Sequence, residues 1–257
     1  MLTKSKLVYI KSLLQKKNRE EERKFIIEGW KAIEEAIHAG VEIESILYDE
    51  HRFANFQVIN SLKRSANEVL VAKAKEIETI SDTVASQGIL AVLPKLVVDE
   101  ELQSVINKPS ALIVVVDGIT DPGNLGTIIR TCDWFGVDAV VIGNDSVELY
   151  NPKVVRATMG SLFHLPIVEE PNLKRFLEQS KTEKFTVYST ELSNSNDIRK
   201  IAFSKKSLLV IGSESHGVSK EISSVADSRI LIPRFGKAES LNAAIACGIV
   251  LSHIRMK

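Results

Sequence analysis

Five apolar runs rich in β-branched residues mark the second half of the chain. Runs of this kind are typical of strands buried on both faces of a parallel sheet. Helical patterns separate most of them, most clearly at 124–135, 172–180 and 217–225. This alternation predicts an α/β fold, an open and mostly parallel sheet with helices on both faces. The five runs are ALIVVVDG (111–118), DAVVIG (138–143), FTVYST (185–190), SLLVIG (207–212) and RILIP (229–233).

The first 93 residues have shorter segments of both kinds and predict a small αβ unit. The amphipathic pattern at 30–40 ends at Gly40, a residue suited to a helix C-terminus. Residues 94–109 lie between Pro94 and Pro109 and are the best linker candidate, which leaves a larger domain over 110–257. In the first unit, the predicted helices are 6–17, 30–40 and 56–65, and the predicted strands are 25–29, 44–49, 68–73 and 88–94.

Composition narrows the class of protein. The chain has 257 residues, of which 44% are apolar and 26% charged, as in ordinary globular proteins. Cys132 and Cys247 lie in apolar helical patterns and are predicted to be reduced core residues. No stretch has the pattern of a signal peptide or the roughly 18 apolar residues of a membrane span. We therefore expect a cytoplasmic protein.

The charge distribution leaves room for a local basic surface. The formal net charge is zero, which argues against binding nucleic acid through a global field. Residues 1–19 nevertheless carry six basic side chains and no acidic one. This stretch is either a solvated helix face or an arm that contacts phosphates, and Lys16 and Arg19 are its candidate RNA contacts.

Candidate chemistry follows three of the apolar runs, because a parallel α/β sheet binds its ligand beyond the carboxyl ends of its strands. The loops are DPGNLGTIIR (121–130), GSESHG (212–217) and IPRFGKAESLN (232–242). Taken singly, each has a structural explanation. Asn124 and Ser240 can cap helices, and a carboxylate such as Glu214 is favoured near a helix N-terminus.

Three further observations bear on the candidate chemistry. His216 could act as a base, although a lone loop histidine is more often solvated or capping. The helix predicted over 240–254 is apolar on nearly every face, so it must be buried in the core or against a second subunit. No G-x-G-x-x-G opens a helix after a strand, which disfavours a nucleotide-dependent oxidoreductase.

Together the motifs N-x-G-x-x-x-R, G-x-E-x-x-G and I-P-x-x-G-x-x-E-S-L-N resemble the SpoU (TrmH-like) branch of the SPOUT RNA 2′-O-ribose methyltransferases. The resemblance covers 111–256. KFIIEGWKAIEEA and SQGILAV extend it over 1–93, which look like an L30e-like RNA substrate-binding domain. It implies a SPOUT fold with a deep trefoil knot, S-adenosyl-L-methionine as cofactor, a homodimer and no metal. Ribosomal RNA is the favoured substrate. Transfer RNA, or RNA binding without catalysis, is the alternative.

The resemblance also assigns site residues. Arg130 matches the catalytic arginine of the family. The family's arginine is often described as the general base, which requires a site that favours its neutral form. Since an arginine stays protonated up to about pH 12, we expect Arg130 mainly to clamp a phosphate and to stabilise the developing alkoxide. One departure is Arg234-Phe235, where many members have Met. The other catalytic matches are Asn124, Glu214, Ser240 and Asn242; the cofactor contacts are main-chain groups of Gly212, Ile232 and Leu241; and RATMGSLFHLP (156–166) adds Arg156 and Ser161 as RNA contacts.

Overall fold

The computed structural model describes residues 2–53, 62–83 and 85–256. The chain forms two compact units. Unit 1 consists of Met1–Val97 together with Tyr150–His164, and unit 2 of Val98–Leu149 together with Leu165–Lys257. The first unit therefore includes residues 150–164, which interrupt the sequence of the second unit and are not marked by any change in composition.

Unit 1 is built on a mixed sheet. Among the described residues its strand order is β1-β4-β2-β3, with β4 antiparallel to both neighbours and β2 parallel to β3. The strands confirm the four that the sequence predicted. The elements up to residue 97 are α1 (Lys4–Ser12), α2 (Lys16–Glu22), β1 (Lys24–Glu28), α3 (Trp30–His38), β2 (Ile43–Tyr48), β3 (Ala66–Val71), α4 (Ala74–Ile80) and β4 (Ile89–Pro94).

The helix predicted over 6–17 is wrong in its extent, because the chain breaks between α1 and α2. Leu13 ends α1 and is fully buried. The amide of Asn18 donates to the carbonyl of Ser12 at 2.8 Å, and the guanidinium of Arg19 donates to the carbonyl of Leu13 at 2.8 Å. These side chains satisfy the carbonyls that a continuous helix would have bonded.

Residues 56–61 of the helix predicted over 56–65 lie outside the described residues, and 62–65 are helical. Helix α4, which the sequence did not predict, buries Ile77 and Ile80 against the sheet.

Strands and helices alternate along most of the remaining chain, as expected. They are α5 (Asp99–Asn107), β5 (Ala111–Asp117), α6 (Pro122–Trp134), β6 (Ala139–Gly143), α7 (Pro152–Ala157), β7 (Ile167–Glu170), α8 (Leu173–Thr182), β8 (Thr186–Thr190), β9 (Asn196–Asp197), β10 (Lys206–Gly212), α9 (Lys220–Ser224), β11 (Ser228–Leu231) and α10 (Ala243–Arg255).

The predicted linker 94–109 differs from the structure, since most of it is helix α5. Asp99, Glu100 and Glu101 occupy its first turn, where the helix dipole favours acidic side chains. Val105 is buried in the core of unit 2. The segment therefore belongs to the second unit from Val98 onward rather than serving as a free connection.

Unit 2 has the predicted parallel α/β sheet. Among the described residues the strand order is β7-β6-β5-β10-β8-β11-β9, and every pair is parallel. All seven residues of β5 are buried, as a two-sided central strand requires. The chain runs from β5 outward to β7 and then returns to the other side, so the strand order reverses beside β10. A ligand crevice is expected at such a point.

Helix α10 packs on α6 but is not buried on every side. Cys247, Val250 and Leu251 face the interior, whereas Ile245 is 57% exposed and Ile249 is 39% exposed. One face of α10 is therefore buried in the core, and burial of the exposed face against a second subunit stays a prediction. Among the described residues, none of the helices is long and apolar enough to cross a membrane.

Candidate functional site at the carboxyl edge of the parallel sheet

The first loop places Asn124 inside helix α6 rather than at its cap. The cap is Asp121, whose carboxylate accepts from the backbone N–H of Asn124 at 2.7 Å. Pro122 occupies the first turn, where its missing N–H is not needed. The predicted capping role of Asn124 is therefore wrong, because Asp121 already fills it. The amide side chain of Asn124 is left to make other contacts.

The second loop is a tight turn that presents Glu214. Backbone bonds join Ser213 and Gly217 in both directions, at 3.0 and 2.9 Å. A Cβ added to Gly212 would lie 2.1 Å from the carbonyl carbon of Gly217, so no other residue fits there. Glu214 lies in this turn and is exposed. His216 lies in the same turn, with Nδ1 2.8 Å from the hydroxyl of Ser215.

The third loop ends at Asn242, which caps α10. Its Oδ1 accepts from the N–H groups of Ala244 and Ile245 at 3.0 and 3.2 Å. Ser240, predicted as the cap, lies two residues before it and is exposed, so the helix begins later than that prediction assumed. A capping side chain reaches only the next two or three N–H groups, and from 240 these are not yet helical.

One hydrogen-bonded network joins the three loops. Nδ2 of Asn242 donates to Oδ1 of Asn124 at 2.8 Å, and Nδ2 of Asn124 donates to Oε1 of Glu214. The amide orientations are determined by their partners. Because the Oδ1 of Asn242 must accept from the helix N–H groups, its NH₂ group faces Asn124. An ionised carboxylate only accepts, so Asn124 must donate to Glu214.

Arg130 and Ser240 lie outside this network. Arg130 is exposed and lies six residues beyond Asn124 on the same helix. Of the five catalytic candidates, the structure thus joins Asn124, Glu214 and Asn242 by hydrogen bonds and places the other two on the adjoining helix and loop.

The three cofactor candidates lie on loops that leave the same edge of the sheet. Gly212 ends β10, Ile232 follows β11, and Leu241 precedes the cap of α10 and is 44% exposed. Among the described residues, no backbone–backbone hydrogen bond involves 233–241. Apart from the carbonyl of Ala238, which accepts from Arg234, the peptide groups of this segment are therefore available to a ligand, which fits recognition through the main chain.

The four RNA candidates all lie in unit 1. Lys16 is exposed, and Arg156 pairs with Asp82, with 3.3 Å between its Nη1 and the carboxylate. Ser161 is buried at 5% exposure. Arg19 is 2% exposed and is bonded to the carbonyl of Leu13, so in this structure its guanidinium stabilises the α1–α2 break instead of facing phosphates.

Sequence reasoning missed two aspartates that organise the site. Asp121 caps α6, and Pro122 directly after it was the available signal. Asp117, at the end of β5, accepts from the N–H of Ser219 at 2.7 Å and so ties that strand to the chain following the Glu214 turn. Nothing in the local sequence indicates this second contact, which spans 102 residues.

Comparisons with known proteins agree with this geometry. The model of the SpoU rRNA Methylase family matches residues 111–252, and that of the MRM3-like substrate binding domain matches residues 4–91. The Bacillus subtilis 23S rRNA (guanosine(2553)-2′-O)-methyltransferase RlmP is 34% identical over 95% of this chain and 94% of its own length.

Two solved structures are also similar. The SpoU methyltransferase AviRb from Streptomyces viridochromogenes, in complex with AdoMet, is 26% identical, with a TM-score of 0.90 over 99% of this chain and 98% of that one. An AdoMet-bound rRNA methyltransferase from Sinorhizobium meliloti is 32% identical, with a TM-score of 0.86 over 100% and 96%. With a family match over more than half its length and a full-length relative at this identity, the chain belongs to the SpoU rRNA methylase family.

Proposed function

We propose that the protein is an S-adenosylmethionine-dependent RNA 2′-O-ribose methyltransferase that acts on ribosomal RNA. The observation that carries this proposal is the network from Asn242 through Asn124 to Glu214, which assembles three distant loops at one edge of the sheet. The full-length relative named as a 23S rRNA 2′-O-methyltransferase supports both the reaction and the class of RNA.

S-adenosylmethionine, when bound, supplies an activated methyl group. The chain has to align the ribose hydroxyl with that group and assist the loss of its proton. We assign cofactor binding to main-chain groups of Gly212, Ile232 and Leu241. The close packing at Gly212 and the absence of backbone–backbone hydrogen bonds over the described residues 233–241 support this assignment.

Glu214 is assigned to positioning the ribose or Arg130. One of its oxygens is fixed by Asn124, and Asn124 is itself fixed by the capping residue of α10. The carboxylate is thereby oriented by two packed helices rather than by a mobile loop, as an aligned reaction requires. We assign Ser240 to holding the loop that precedes α10 and to contact with the reacting sugar.

Arg130 is assigned as a clamp for the phosphate beside the target ribose and as a stabiliser of the developing alkoxide. A guanidinium can engage phosphate through two parallel hydrogen bonds, which an ammonium group cannot do. Arg130→Lys is therefore expected to lower kcat/KM at least 10-fold while the Kd for S-adenosylmethionine stays unchanged. Wild-type methylation by this variant would exclude the clamp.

We further propose that unit 2 contains a trefoil knot. We also propose that two chains form a homodimer through α10. The exposed Ile245 and Ile249 lie one turn apart and so share a face of α10, which supports an interface there. Light scattering should give twice the 28.5 kDa mass of one chain. An Ile245→Glu, Ile249→Glu double variant should give one chain mass. A monomeric wild type would exclude the dimer.

The decisive test of function is a comparison of 2′-O-methylation in total RNA from cells with and without the gene. We expect one position of ribosomal RNA to lose its methyl group in cells without the gene. We also propose that the protein acts in the cytoplasm, where ribosomes are assembled. Loss confined to transfer RNA would change the substrate. Titration calorimetry tests catalysis separately, because no binding at millimolar S-adenosylmethionine would favour an RNA-binding protein without activity.

A further inference from the structure

The loop between β11 and α10 carries an aromatic ring in water. Phe235 is 90% exposed, more than any other large apolar side chain among the described residues. Its ring therefore adds almost nothing to the core of unit 2. A role for this side chain has to be sought in something that binds to the loop.

The loop is shaped to present that ring. Nη1 of Arg234 donates to the carbonyl of Ala238 at 3.3 Å, which leaves Phe235 and Gly236 at the tip. A Cβ added to Gly236 would meet no atom within 4 Å, so the tip extends into open space. We refer to residues 234–238 as the Phe235 loop.

Charge distinguishes the Phe235 loop from an ordinary apolar patch. Arg234 and Lys237 flank the ring and are both exposed, and the nearest carboxylate along the chain, Glu239, lies beyond the closing contact at Ala238. Protein–protein interface cores are depleted in lysine. A ring between two cations suits an unpaired RNA strand, which offers base faces for stacking and phosphates for the cations.

The loop is also tethered to the site. Phe235 precedes Asn242 by seven residues, and Asn242 is bonded to Asn124. At about 3.6 Å per extended residue, the two Cα atoms can be no more than about 25 Å apart. A strand whose ribose lies at the network is therefore within a few nucleotides of the ring.

We propose that Phe235 stacks on a base of the substrate RNA near the methylated nucleotide, while Arg234 and Lys237 contact the adjoining phosphates. This inference rests on the proposed function. In it, Phe235 is a residue that positions the RNA strand. It requires the base neighbouring the target to be unstacked, so the site of methylation lies in a loop, bulge or single-stranded segment.

The test compares Phe235→Ala and Phe235→Tyr in the full-length protein, with unmodified 23S rRNA transcribed in vitro as the probe. The readouts are the Kd for RNA by filter binding, the KM for RNA, and the Kd for S-adenosylmethionine by calorimetry. Phe235→Ala should weaken RNA binding about 5- to 150-fold, the factor that corresponds to one stacked base. Phe235→Tyr should bind within about twofold of the wild type.

Two further variants separate the contributions. Leu192 is 74% exposed and lies on a different loop of unit 2, so Leu192→Ala is a matched control that should change nothing. Lys237→Ala should weaken RNA binding and reduce the slope of log K against log salt by about 1, as for one lost phosphate contact.

Several outcomes would overturn the inference. RNA binding by Phe235→Ala equal to the wild type would remove the stack. A weakened Kd for S-adenosylmethionine would assign the ring to the cofactor instead, and a halved mass in light scattering would assign it to a partner subunit. A failure of the proposed function would be recognised separately, because the wild-type protein would then transfer no methyl group to RNA. Filter binding would still decide the role of Phe235 in that case.

Discussion

Asn242 combines two roles that substitution can separate, since its Oδ1 caps α10 and its Nδ2 holds Asn124. Asn242→Ala removes both. The lost cap costs about 0.5–2 kcal/mol. The lost bond to Asn124 costs about 0.5–1.5 kcal/mol. The unfolding free energy should therefore fall by about 1–3.5 kcal/mol, and each kcal/mol lowers Tm by about 2–4 °C in a chain of this size.

Asn242→Asp keeps the cap and loses the donor. Aspartate caps as well as asparagine, and its charge gains about 0.3–1 kcal/mol at the helix N-terminus, which offsets most of the lost bond. Its carboxylate forces Asn124 to turn its NH₂ group away from Glu214. A hydrogen bond to a charged group is worth about 1.5–3 kcal/mol, so kcat should fall about 10- to 150-fold while Tm stays close to wild type.

The assay pairs thermal unfolding followed by circular dichroism with single-turnover methyl transfer to RNA. Asn124→Ala provides the control, because combining it with Asn242→Asp should cause no further loss of activity if both act through Glu214. Wild-type kcat in Asn242→Asp would show that the network does not serve catalysis. A Tm as low as that of Asn242→Ala would show that residue 242 is not the cap.

Three further predictions concern packing. Gly212→Ala places a methyl group against backbone and should abolish S-adenosylmethionine binding in calorimetry. Gly236→Ala, whose methyl group meets open space, is the control and should bind S-adenosylmethionine as the wild type does. Equal affinities of the two variants for S-adenosylmethionine would refute the close packing at Gly212. Burial raises the pKa of the Cys132 thiol, and a hydrogen bond with Cys247 adds to this. Neither thiol should react with a disulfide reagent at pH 8 until guanidinium exposes both, and rapid labelling of native protein would contradict their burial. Arg19→Ala should lower Tm by several degrees, because it removes the contact at the α1–α2 break. If this variant instead kept the wild-type Tm and bound RNA more weakly, Arg19 would be an exposed RNA contact.

The sheet of unit 2 could be predicted because its central strands are buried on both faces. ALIVVVDG and SLLVIG are continuous apolar runs, as strands buried on both faces require, and the structure pairs them with each other in parallel. Strand β7, Ile167–Glu170, was missed because half of it is acidic, as an edge strand allows. The α1–α2 break was missed because it contains neither glycine nor proline and is stabilised by side chains of the following turn.

The site was predictable in composition but not in connectivity. Aspartate, asparagine and serine are comparable caps, so local sequence could not decide between Ser240 and Asn242, and only Pro122 distinguished Asp121 from Asn124. Which of two candidates caps a helix depends on where the chain leaves the preceding strand. The bond between Asn124 and Asn242 crosses 118 residues, and only the packing of α6 on α10 brings the two side chains together.

The division of the chain into units constrains how the protein can be made. Helix α7 belongs to unit 1, where the ring of Tyr150 lies 4.6 Å from that of Phe25 in β1. During synthesis, unit 1 therefore cannot be completed until His164 has left the ribosome, by which time β5, α6 and β6 of unit 2 are already outside. A fragment that stops at Val97 lacks this packing, so an exchange of the first unit between relatives has to carry Tyr150–His164 as well.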